Sequence, residues 1–144
     1  MHTEVKSLNK RGIQAAIKGN TFEAEKFFKS ALDLNANSLD TIFNLVKLFS
    51  IQKRNMDATD LYFQIIPSTD LSDIPPQILS MFSNCFSNQS NFDQAIYLLE
   101  FIHNSHPRDI EISCNLSKLL IQNGRLLQAK VVLEASNLVT DNDP

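Results

Sequence analysis

Residues 19–31 read GNTFEAEKFFKSA and contain the arrangement on which the fold depends. A turn signal, Gly19-Asn20, stands five residues before the small residue Ala24, and the bulky Phe28 follows four residues later. The same arrangement recurs three more times along the chain. Its small residues are Ala24, Ala58, Ala95 and Ala129. They are 34, 37 and 34 residues apart, and an internal period of this length indicates a chain built from copies of one small structural unit.

The small residue has a physical reason. Two helices joined by a tight turn cross closely, and only a small side chain fits at the crossing. The residue four positions later lies on the same helix face and fills the space one turn along. Apolar stretches of helical period precede each turn, so every unit is predicted to be a pair of helices. The predicted helices are residues 4–18, 22–34, 38–52, 55–66, 76–88, 92–105, 108–122 and 126–139.

The period and the pattern resemble the tetratricopeptide repeat, whose length is 34 residues. In the first unit the family's glycine, alanine, aromatic and alanine are matched by Gly12, Ala24, Phe28 and Ala31. The second unit is degenerate, because Val46 stands where the family prefers a small residue. The resemblance implies an all-α fold, a right-handed superhelix of antiparallel helix pairs, or α-α solenoid. A HEAT-like helical array is the alternative, and the period with its alanine offsets favours the tetratricopeptide interpretation.

The repeats are predicted to form a single domain over residues 1–144, as the chain length suits one domain. The spacing of 37 residues indicates a three-residue insertion, and Pro75-Pro76 make that connection longer and stiffer. The predicted units are residues 5–38, 39–72, 76–109 and 110–143, with the insertion near 67–76.

Composition excludes several classes of function. With 13 basic and 16 acidic residues the net charge is -3, whereas nucleic-acid binding usually requires a strong basic excess. No window approaches 18 apolar residues, and no apolar run follows a basic start, so neither a membrane span nor a signal peptide is predicted. Cys85 and Cys114 fit no disulfide or metal-binding spacing, which favours reduced thiols in a cytoplasmic protein.

The sequence contains no pattern typical of a catalytic or metal site, so no enzyme activity, metal or cofactor is predicted. His103 and His106 are three residues apart, but a zinc site needs four converging ligands. His103 is expected to be packed or partly exposed, and Cys85 to lie in the core. The phenylalanines are expected mostly on packing faces rather than in an aromatic binding box. They are Phe22, Phe27, Phe28, Phe49, Phe63, Phe82, Phe86 and Phe101.

The resemblance implies that the first helix of each pair lines a concave groove. The side chains predicted to line it are rich in amides, which can pair with the backbone of an extended peptide. They are Lys6, Asn9, Lys10, Ile13, Phe43, Asn44, Lys47, Ser80, Asn84, Asn115 and Lys118. Asn44 and Asn115 occupy equivalent places, which resembles part of the asparagine ladder in the repeat arm of O-linked N-acetylglucosamine transferase. The alternative is a solvated face in a chain rich in Asn and Ser.

Two further features bear on the partner. Of the positions equivalent to the carboxylate clamp of chaperone-binding family members, only Asn44 matches. Lys6, Lys10 and Arg11 form a basic patch that would attract an acidic segment, or are simply the solvated face of an amphipathic helix. The predicted partner is a protein or peptide.

The leading functional prediction is a protein-interaction adaptor that binds a peptide segment in the groove. The alternatives are a non-catalytic repeat arm of a larger enzyme, such as a glycosyltransferase, and a secretion or pilus-assembly chaperone. The last predicted helix has an apolar surface that a following helix would normally cover. Its apolar residues are Leu126, Leu127, Val131, Val132, Leu138 and Val139. The chain is therefore expected either to form a homo-oligomer through its C-terminal repeat or to be a fragment of a longer protein.

Overall fold

The computed structural model describes residues 2–141, and the side chains of residues 2–136. Within residues 2–141 the chain forms eight α-helices and no strand. The helices are α1 (His2–Ile17), α2 (Thr21–Leu34), α3 (Leu39–Ile51), α4 (Asn55–Ile65), α5 (Pro76–Asn88), α6 (Phe92–Ser105), α7 (Ile110–Gln122) and α8 (Leu126–Asp141). All eight predicted helices are confirmed with ends within two residues of the prediction. The side chains of Leu138 and Val139, and the predicted end of the fourth unit at residue 143, lie outside this description.

The same turn joins the two helices of every pair. One residue in each turn has a positive φ, and these residues are Gly19, Lys53, Ser90 and Gly124. Their spacing equals that of the alanines. The next residue donates its N–H to the carbonyl five positions earlier, at 2.8 Å or 2.9 Å, which is the helix-ending bond of a Schellman motif. The predicted turns therefore share one backbone geometry, which Lys53 and Ser90 adopt despite carrying a Cβ atom. In the second helix pair the turn residue is Lys53, one position before the predicted turn signal Arg54-Asn55.

Close helix crossings explain the small residues. Ala24, Ala58 and Ala95 are completely buried, and Ala129 is nearly so. At Gly12 in α1, a Cβ atom would lie 2.7 Å from Cδ1 and 2.9 Å from Cζ of the Phe28 ring in α2. The absence of a side chain at Gly12 is therefore what allows an aromatic ring at this crossing.

The chain divides into two compact units, residues 1–81 and 82–144. In the first unit α1 packs against α2 and α3, α2 packs against α3, and α3 packs against α4. In the second unit α6 packs against α7, and α7 packs against α8. Each unit therefore contains its own set of packed helices.

The insertion between α4 and α5 is a structured connection. It contains two short 3-10 helices, Ile66–Ser68 and Leu71–Asp73. Asp70 caps the second of these by accepting a hydrogen bond from the Ser72 N–H at 3.0 Å. Ile74 is buried, so the connection contributes a side chain to the core as well as joining two helix pairs.

Not every aromatic residue lies where the sequence pattern placed it. Phe28, Phe49, Phe82 and Phe86 are buried, whereas Phe22 and Phe63 are exposed and are the exceptions to the predicted packing faces. Phe22 is two residues before the buried Ala24, and at 100° per residue it lies on the opposite side of the helix. Phe63 is five residues after Ala58 and is likewise rotated away from the core.

The two cysteines and His103 differ in their surroundings. Cys85 is buried, as expected, and Cys114 is exposed. His103 is also buried, and its Nδ1 lies 3.4 Å from the hydroxyl of Ser113. No helix among the described residues is both long and apolar enough to span a membrane.

A charged cluster in the first unit was not foreseen from the sequence. The Arg54 guanidinium donates two hydrogen bonds to Glu25, at 2.7 Å and 3.0 Å, and one to Asp57 at 2.8 Å. It also lies over the Phe49 ring, 4.7 Å from the ring centroid. These contacts tie α2 to the start of α4 through a bidentate pair, the strongest geometry for an arginine and a carboxylate.

The pKa of Glu25 is lowered from 4.5 to about 2 in this cluster. The hydrogen bond from Arg54 is the main cause, partial burial opposes it, and Lys29 at 2.9 Å adds to the lowering. The folded state therefore binds this proton more weakly than the unfolded state does. The stabilisation is complete above about pH 4.5 and is lost as the pH falls toward about 2.

Glu25→Gln is expected to lower the free energy of unfolding by about 2 kcal/mol at neutral pH. The difference in stability between the native chain and this variant should vanish near pH 2, where Glu25 of the native chain becomes protonated. Urea unfolding followed by circular dichroism at a series of pH values measures it. Asp60→Asn is the control, because Asp60 is exposed and forms no ion pair among the described residues. A difference that stays constant from neutral pH to pH 2 would contradict the assigned role of Glu25.

Candidate functional site

An open depression of about 360 Å³ lies between α1 and α3 in the first unit. It is lined by Lys6, Asn9, Lys10, Ile13, Gln14, Asp40, Phe43 and Asn44. The close packing of α1 on α3 brings six of the residues predicted for the groove together here. Gln14 was missed, although its position four residues after Lys10 puts both on one face of α1.

A directed chain of hydrogen bonds begins at two amides in the lining of this depression. The Asn44 amide donates to Oδ1 of Asn9 at 3.3 Å, and the Asn9 amide donates to the Thr41 hydroxyl at 2.9 Å. Thr41 in turn donates to the Ser38 hydroxyl at 2.8 Å. The donors all run one way, which fixes the orientation of both amide groups.

The start of α3 explains why this chain of hydrogen bonds forms. Ser38 caps the helix in an extended conformation, and its hydroxyl accepts from the Thr41 N–H at 3.4 Å. Ser and Thr are favoured at helix starts because their hydroxyls satisfy unpaired backbone N–H groups. Here Thr41 also accepts the hydrogen bond from Asn9, so the N-terminus of α3 is joined to α1.

Asn9 and Asn44 have different roles in the depression. Asn9 is buried, and both its amide nitrogen and its oxygen are hydrogen-bonded. Asn44 is half-buried, and its Oδ1 has no partner among the described residues. Asn9 therefore holds the amide nitrogen of Asn44, and Asn44 lines the depression with a carbonyl oxygen that is not used within the protein.

Charged and apolar side chains surround the two amides. Lys6 and Lys10 are exposed and form no ion pair among the described residues, and Asp40 is the acidic residue of the lining. Lys47 lies beside the depression, with its Nζ 5.8 Å from the centroid of the Phe43 ring. The depression therefore combines an excess of positive charge with an apolar surface.

The other predicted groove residues do not line this depression. Ser80 is half-buried on α5 in the first unit. Asn84, Asn115 and Lys118 are exposed on α5 and α7 in the second unit. Their participation in a groove stays a prediction.

Among the residues that the structure describes, no three His, Cys, Asp or Glu side chains come together as metal ligands would. The candidate site thus consists of amide, ammonium, carboxylate and apolar groups, which recognise ligands by hydrogen bonding, charge and shape.

Solved structures share this fold at low sequence identity. MamA of strain AMB-1 has a TM-score of 0.77 and 14% identity, over 97% of this chain and 75% of that chain. A tetratricopeptide repeat protein from Parabacteroides merdae has a TM-score of 0.78 and 18% identity, over 98% of this chain and 55% of that chain. PilF from Pseudomonas aeruginosa has a TM-score of 0.70 and 20% identity, over 99% of this chain and 64% of that one.

No protein-family model matches the sequence, and no curated protein matches it either. The likeness is therefore one of fold. The fold is an all-α solenoid of the tetratricopeptide type, as the sequence pattern predicted. Within residues 2–141 the chain consists of four such helix pairs, joined in the middle by the 3-10 connection.

Proposed function

We propose that this protein is an interaction adaptor that binds an extended peptide segment of a partner in the depression between α1 and α3. The observation that carries the proposal is the orientation of Asn44. Its amide nitrogen is held by Asn9, while its carbonyl oxygen and one N–H have no partner among the described residues. An amide with both groups available can pair with the N–H and C=O of a peptide backbone.

The lining also favours a particular peptide chemistry. Ile13 is exposed beside Phe43, and together they offer contact to an apolar side chain. Lys6 and Lys10 on α1, with Lys47 on α3, would attract carboxylates near that side chain. The proposed ligand is therefore an extended segment in which an apolar residue is flanked by acidic residues.

Labelled twelve-residue peptides provide the test. One peptide carries Leu between glutamates, a second carries Leu between lysines, and a third carries Leu between glutamines. We expect fluorescence anisotropy to show binding of the glutamate peptide, weaker binding of the glutamine peptide and none of the lysine peptide. Equal affinity for all three peptides, or binding of none, would remove the charge-based part of the proposal.

Asn44→Ala is expected to weaken binding of the glutamate peptide about tenfold, because one or two backbone hydrogen bonds are lost. The same anisotropy assay measures this. Asn20→Ala is the matched control, since Asn20 is exposed and its side chain makes no capping hydrogen bond. Unchanged affinity in Asn44→Ala would show that Asn44 does not contact the peptide.

A further inference from the structure

Each unit contains a crevice that is formed by the second helices of two pairs and the first helix that lies between them in the chain. These crevices are distinct from the depression between α1 and α3. The first crevice, of about 330 Å³, lies among α2, α3 and α4. The second, of about 430 Å³, lies among α6, α7 and α8. Most lining positions of one are 71 residues from those of the other, as with Leu45 and Leu116, or Asp60 and Val131. The two crevices are therefore equivalent places in the repeat.

The chemistry of the two crevices differs. The first has an acidic rim, made by Asp33, Asp57 and Asp60. The equivalent positions of the second carry Asn104, Gln128 and Val131. The second crevice therefore has no carboxylate at these positions and has an apolar wall instead.

The apolar wall of the second crevice is the outer face of α8. Leu127 is 81% exposed and Val131 is 65% exposed, and they are four residues apart, so they form one ridge. This pair is termed the α8 ridge. It stands beside the buried floor of the crevice, formed by Leu116 and Leu120. Covering the ridge would remove apolar surface from water, which is favourable.

The charged residues around the second crevice indicate which kind of segment would cover the α8 ridge. Glu100 on the crevice rim forms no ion pair among the described residues. Its equivalent in the first unit, Lys29, is paired with Glu25 at 2.9 Å. The crevice therefore suits an amphipathic helix that brings two apolar side chains one turn apart and a cation beside them.

The α8 helix itself has these features. Lys130 lies three residues after Leu127, on the same side of the helix, and its contact with Glu134 is a long 3.9 Å. The ridge and the crevice are neighbours on one surface. Two copies related by a two-fold axis can therefore each offer a ridge to the crevice of the other.

We propose that this chain self-associates through its second unit. The α8 ridge of each copy enters the second crevice of the other, and Lys130 of one copy pairs with Glu100 of the other. The proposal is independent of peptide binding in the first unit, because the two surfaces use different helices.

Sedimentation equilibrium of the full chain tests it over a concentration series from about 1 µM to about 300 µM. We expect the mass to rise with concentration toward twice the 16.3 kDa of one chain. A single chain mass over the whole series would overturn the proposal and leave the crevice to a helix of another protein.

A matched pair of variants locates the contact. Leu127→Asp is expected to raise the dissociation constant at least about tenfold, because it places a carboxylate in the apolar contact. Met56→Asp is the control at the equivalent position of the first unit, where Met56 is 69% exposed. Both substitutions are at exposed sites, so circular dichroism should show native helicity for both. An equal effect of the two variants would overturn the assignment to the second unit.

Charge exchange tests the proposed pair. Glu100→Lys and Lys130→Glu should each weaken self-association, because each places like charges together, and the double variant should restore it. Failure of the double variant to recover the native dissociation constant would overturn the pairing of Glu100 with Lys130.

Discussion

Replacing Gly12 by leucine is expected to lower the free energy of unfolding by about 3 kcal/mol. Gly12 is buried at the crossing of α1 and α2, where even a Cβ atom would lie 2.7 Å from the Phe28 ring. The larger side chain must push the ring aside, and Phe28 is itself buried. Overpacking of this kind forces side chains out of their preferred rotamers and shifts the backbone. Urea unfolding followed by circular dichroism measures the loss.

A control and a compensating variant separate this clash from a general effect of leucine on α1. Gln14→Leu, at an exposed position of the same helix, should change stability by less than about 0.5 kcal/mol. Combining Gly12→Leu with Phe28→Ala should destabilise the protein by less than the sum of the two single variants, because the leucine occupies space that the ring has left. Strict additivity would show that the two residues do not compete for the same space.

Replacing Arg54 by methionine is expected to lower the free energy of unfolding by about 3 kcal/mol. The substitution removes four hydrogen bonds, one of them to Gln52, and the contact with Phe49, and it leaves Glu25 with Lys29 as its remaining cation. The Glu25 side chain is only 14% exposed, so solvent compensates incompletely for the lost partner. Methionine keeps much of the length and apolar surface of the arginine stem, which restricts the effect to the charged head.

The chain supplies its own control for Arg54. Arg125 occupies the equivalent position in the second unit, where it makes one ion pair, at 2.6 Å, with an Asp93 side chain that is largely exposed. Arg125→Met should therefore change stability by less than about 1 kcal/mol. Arg54→Lys should recover part of the native stability, because an ammonium keeps the charge but not the bidentate geometry. Equal losses in Arg54→Met and Arg125→Met would contradict the role assigned to Glu25.

The sequence predicted most of the residues that line the candidate site, but it did not predict the different roles of the two asparagines. The repeat register placed Lys6, Asn9, Lys10 and Ile13 on one face of the first helix, and the structure brings them into one depression with Asn44. The register treats Asn9 and Asn44 alike as groove residues. Only the structure distinguishes them, because the bond between the two amides joins residues 35 positions apart.

The sequence by itself determined the local elements of this protein. The helix ends and the four turns follow from interactions within about five residues, which a linear pattern records directly. The small residues at the crossings are also visible in the sequence, because they recur with the period of the repeat. The tertiary structure alone decided which side chains meet across the helix pairs. It paired Arg54 with Glu25, joined Asn44 to the buried Asn9, and gathered the residues that line the two equivalent crevices. These outcomes depend on distances between residues far apart in the chain, and helical periodicity fixes the face of a residue but not its partner.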